Sequence, residues 1–196
     1  MREDHGMALH PAENRGYREL YAYSRQLAEH WRALSAALAD PDLTKILDRG
    51  AAAAEELIEE LAPLTARQGL HGKPAAQGAG KSIAGGARVR DRFLERNQAA
   101  RFAMEDLQHV VTLLAYLARA SETSGNGELA EFCGRWERKL KRLEGEARKA
   151  AAALGADLEG AVAPLDESRV GRVAHHVGYI AGTVGEAFDR RAARKG

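Results

Sequence analysis

Apolar residues recur at steps of three and four along almost the whole chain, and one glycine-rich stretch near the middle breaks the rhythm. That period is the period of an α-helix, so each stretch presents one apolar face that must be covered. In the first segment Tyr17, Leu20, Ser24, Leu27, Trp31 and Leu34 share a face, and Leu43, Leu47, Gly50, Ala54, Leu57 and Leu61 continue the pattern in the second. Composition agrees, because 39 of 196 residues are alanine and only 11 are Phe, Tyr or Trp. Alanine loses no side-chain entropy in a helix, whereas a sheet would draw on β-branched and aromatic residues. The chain is therefore expected to be all-α.

Five helices are predicted, at about 12–39, 41–66, 87–121, 128–154 and 167–192, in one helical domain spanning 12–194 behind a loose tail at 1–11. Asp40 and Pro41 mark the second start: the carboxylate caps free N–H groups, and proline suits a first helical position that needs no donor. Tight turns at 40–42 and 124–127 predict antiparallel neighbours. In the third helix Ala100, Ala103, Leu107, Val110, Leu114 and Leu117 face inward, joined at its start by Val89 and Phe93; in the fourth, Leu129, Phe132, Cys133, Trp136, Leu140 and Leu143 do so. Gly155 is a suitable stop for that fourth helix.

The 67–86 segment carries six glycines, at 69, 72, 78, 80, 85 and 86. At about 20 residues it exceeds the roughly 2 to 8 that connect neighbouring helices. Extended at ~3.3 Å per residue it spans ~60 Å, against ~40 Å for a 26-residue helix. It is long enough to cross the bundle and leave helices two and three parallel. Residues 75–82, AAQGAGKS, imitate part of a phosphate-binding loop, but Ala75 stands where its first glycine belongs and no strand precedes it, so nucleotide binding is not expected.

With 29 basic and 28 acidic residues, the formal charge of +1 gives no reason to expect nucleic acid or an anionic membrane as partner. No run approaches the roughly 18 apolar residues of a membrane span, and the first residues lack the apolar core of a signal peptide. A cytoplasmic protein is expected. Cys133, the one cysteine, sits in an apolar stripe and reads as a small core filler.

The order helix, tight turn, helix, long connection, helix, tight turn, helix, with the run ADPDLTKILDRGAAAAEELIEELAPL at 39–64, resembles the ferritin-like superfamily, in particular its small bacterial stress-associated branch. The resemblance implies an up-down four-helix bundle with a long crossover between helices two and three, here with an additional fifth helix. It also implies a site for two metal ions, built from one carboxylate on each of two helices and a Glu-x-x-His pair on each of the others. This chain departs from that pattern: where the second helix would carry Glu and His stand Gly50, Ala51, Ala52, Ala53 and Ala54. The acids beyond them, Glu55, Glu56, Glu59 and Glu60, read as a solvated face.

Asp106 and His109 are the one acid-x-x-His pair, with Glu105 four residues before the histidine. Three- and four-residue spacing puts such groups on one helix face. Glu29 beside His30, Glu19 on the same helix and Glu137 on the fourth complete the candidate metal ligands, which would suit iron, manganese or zinc. The alternative is histidines hydrogen-bonded to neighbouring acids. In the predicted fifth helix Gly171, Gly178, Gly182 and Gly185 fall on one narrow face near His175 and His176. Four interior glycines weaken a helix by about 4 kcal/mol unless close packing offsets it, either within the chain or at a homodimer contact.

The expectation is a non-catalytic ferritin-like bundle without cofactor, a stress-associated or protein-interaction module, as a homodimer or with another protein partner. Two alternatives stay open: an iron- or manganese-binding oxidase or storage protein, and an adaptor or immunity-type binding protein.

Overall fold

The computed structural model describes residues 9–38, 40–72, 94–165 and Ser168. Among the described residues there are four long helices: α1 (Pro11–Ala37), α2 (Pro41–Ala66), α3 (Arg96–Thr123) and α4 (Gly127–Ala153). A 3-10 turn at Leu154–Ala156 and a one-turn helix α5 (Leu158–Val162) follow. Among the described residues there is no strand, only an isolated bridge between Glu95 and Pro164. No described helix is long and apolar enough to cross a membrane.

Each long helix touches two others: α1 packs on α2 and α3, and α4 packs on the same two. Side-chain pairs fix the directions. Tyr17 near the start of α1 meets Ser121 near the end of α3, whereas Trp31 reaches Ala103 near the start of α3. Arg49 and Glu60 of α2 meet Glu146 and Arg135 of α4, again in reverse order. All neighbours are thus antiparallel, and α2 and α3 run in the same direction across a diagonal. The predicted apolar stripes meet inside, where Tyr17, Trp31, Leu47, Leu57, Leu107 and Trp136 are all buried.

Local chemistry sets the ends. Asp40 accepts from Leu43 N at 2.8 Å with Pro41 at the first helical position. Gly69 and Gly125 take φ of +76° and +81°, the left-handed backbone that ends α2 and α3. The start of α1 differs from expectation: Leu9 is buried, and His10 caps the helix, its ring accepting from Ala12 N and its own N–H donating to Glu13. Residues 9 and 10 are therefore not part of a loose tail.

The helix predicted over 87–121 is interrupted at Leu94 and Glu95, and α3 begins at Arg96. Leu94 and Glu95 are tied to the stretch after α5: Arg96 N donates to Ala163 O at 3.0 Å and Leu165 N to Leu94 O at 3.1 Å. Asn97 adds a bond to Ala161 O at 2.7 Å. An extended backbone held this way cannot also be helical, so the apolar period overstated the helix. The region expected to be irregular after Gly155 contains α5 and closes this end of the bundle. Val89, Phe93 and the helix predicted at 167–192 lie outside the described residues.

Candidate functional site

Polar side chains concentrate on the seam between α1 and α3. On α1, Glu19, Tyr23, Gln26 and His30 are spaced four, three and four residues apart, one helical stripe. On α3, Asp106 and His109 share a face. Across the seam His30 Nδ1 is bonded to Asp106 Oδ2, whose other oxygen accepts from Gln26 Nε2 at 2.7 Å. One turn along α3 the roles are exchanged: His109 Nε2 meets Glu19 Oε1 at 3.0 Å, and its ring lies 4.0 Å from that of Tyr23.

The two pairs share a chemistry but not an environment. His30 is 0% and Asp106 12% exposed, against 41% and 43% for His109 and Glu19. A carboxylate on one ring nitrogen orients an imidazole, the arrangement used to position bases and metal ligands. Here each carboxylate comes from the opposite helix, so the pairs also tie α1 to α3 at two heights.

The remaining candidates go elsewhere. Glu105 is exposed on α3, Glu29 borders a groove between α1 and α2, and Glu137 on α4 pairs with Lys141 at 3.6 Å. Since α4 lies diagonally across from α1, Glu137 is remote from the seam. Among the described residues no three of His, Cys, Asp and Glu gather so as to hold a metal ion. Glu29, Glu105, Asp106, His109 and Glu137 therefore do not form a common ligand set. Gly171, Gly178, Gly182 and Gly185, with His175 and His176, lie outside the described residues.

A second polar cluster, which sequence reasoning missed, is buried where α1, α3 and the turn before α4 meet. Glu13 Oε1 accepts from Ser121 Oγ at 2.8 Å and Asn126 Nδ2 at 3.0 Å, and Oε2 accepts from His10 N at 3.0 Å. Burial pushes the Glu13 carboxyl up, but these bonds and Ser124 outweigh it and hold the group below its ordinary value. With the Ser121 proton given to Glu13, the Tyr17 hydroxyl is free to donate to Ser121 Oγ at 2.8 Å; Cys133 Sγ lies 3.5 Å from the same hydroxyl. Burial raises both the Tyr17 phenol and the Cys133 thiol, the latter to about 12. A thiol so placed is no nucleophile at neutral pH.

On α2, the stretch from Gly50 to Ala54 offers no polar side chain, and its inner face is packed with carbon. Ala51 and Ala54 are buried, and Gly50 leaves a notch filled by the Trp31 ring. The indole N–H is satisfied by Ala103 O at 3.0 Å. The α2 acids beyond this stretch are more than a solvated face: Glu55 chelates Arg32 of α1, while Glu56 and Glu60 bind Lys139 and Arg135 of α4. Glu60 also accepts from Trp136 Nε1 at 3.1 Å. Their partners sit on other helices, out of reach of any spacing rule.

Comparison of the chain with protein families, with curated proteins and with solved structures finds no match.

Proposed function

We propose that this chain is a non-catalytic helical-bundle protein of ferritin-like connectivity, acting as a stress-associated or protein-interaction module. The observation that carries the reading is the Trp31 ring seated on Gly50, with Ala51 and Ala54 buried beside it, in the stretch of α2 that two-metal relatives fill with acid and imidazole. Antiparallel neighbours with parallel α2 and α3 support the connectivity. The seam histidines support it too, since each is engaged by a carboxylate of the facing helix.

The test is metal analysis of the protein purified after growth with added iron and manganese. Near-stoichiometric, tightly held metal would overturn the proposal. The partner in this reading is a second copy or another protein, and the glycines at 171–185, predicted from their spacing to share one helix face, are proposed for self-association. Sizing chromatography of Gly178→Leu and Gly182→Leu variants checks it, an unchanged oligomer counting against that role.

A further inference from the structure

We draw no further inference here: the strongest candidate, the apolar groove between the start of α1 and the end of α3 lined by Ala12, Tyr116, Ala120 and Thr123, carries none, because its buried charged neighbour Glu13 belongs to the cluster already described and nothing in the structure shows what covers it.

Discussion

Trp31 rests its ring on the bare backbone of Gly50 and is pinned from the other side by its indole N–H on Ala103 O. A methyl group at position 50 would overlap the ring and come within 3.3 Å of Leu143 Cδ2. Held between three helices, the indole cannot swing aside. Gly50→Ala should therefore lower stability by about 1–3 kcal/mol, outweighing the ~1 kcal/mol that alanine gains in a helix. Gly145→Ala, where an added methyl meets nothing within 4 Å, should raise stability by about 0.5–1 kcal/mol. Urea midpoints compare the two, and a Gly50→Ala variant as stable as the parent would refute the notch.

Glu13 predicts an acid limb in the stability curve. Its carboxyl is held below its ordinary value in the folded state. The folded state thus gains from ionisation above the unfolded pKa of about 4.3, and that gain disappears as pH falls through the lower folded value. Glu13→Gln should cost about 2 kcal/mol at pH 7 and flatten the loss between pH ~5 and pH ~3. Urea unfolding across that range measures both; an equally steep limb in the variant would assign it to other carboxylates.

The seam pairs should differ in energetic weight. Asp106→Ala removes the acceptor of His30 and Gln26 inside the protein and should destabilise by about 2–4 kcal/mol. Glu19→Ala removes a half-exposed partner of His109 and should change stability by less than about 1 kcal/mol. Thermal or chemical unfolding separates these values, and equal effects would mean that burial does not set them.

A similar contrast runs along α2. Glu56→Ala loses a solvent-screened pair with Lys139, about 0–1 kcal/mol. Glu60→Ala also strands the N–H of buried Trp136, and should cost about 1–2 kcal/mol more. Raising salt should erase most of the first effect and leave the second, because screening acts on exposed charges.

Cys133 should resist a thiol reagent at pH 8 while the protein is folded and react fully once it is denatured. Burial raises its pKa to about 12 and withholds it from solvent. Labelling that keeps pace with the denatured protein would contradict this placement.

What could be read from the chain alone was local. The three- and four-residue period marked the inner faces of α1, α2 and α4 and most of α3, and Asp40, Pro41, Gly69 and Gly125 lie at the expected breaks. Such signals depend on neighbours within a turn or two of backbone. The period failed at Leu94 and Glu95 because they are claimed by Ala163 to Leu165, a contact made some seventy positions away in the chain.

The same division explains the site. Acid and histidine spacing singled out Asp106 and His109 correctly as sharing a face, but it implied one destination for both. Packing of α1 against α3 sends Asp106 to His30 and His109 to Glu19, two pairs where one ligand set was a possibility. Gly50, which as a letter only weakens a helix, acquires its role from a tryptophan on another helix. Helix formation, inner faces and chain reversals follow from the sequence because they rest on backbone geometry and short-range spacing. Which polar groups meet, and therefore what the interior can bind, is decided by the order in which the four helices surround the core.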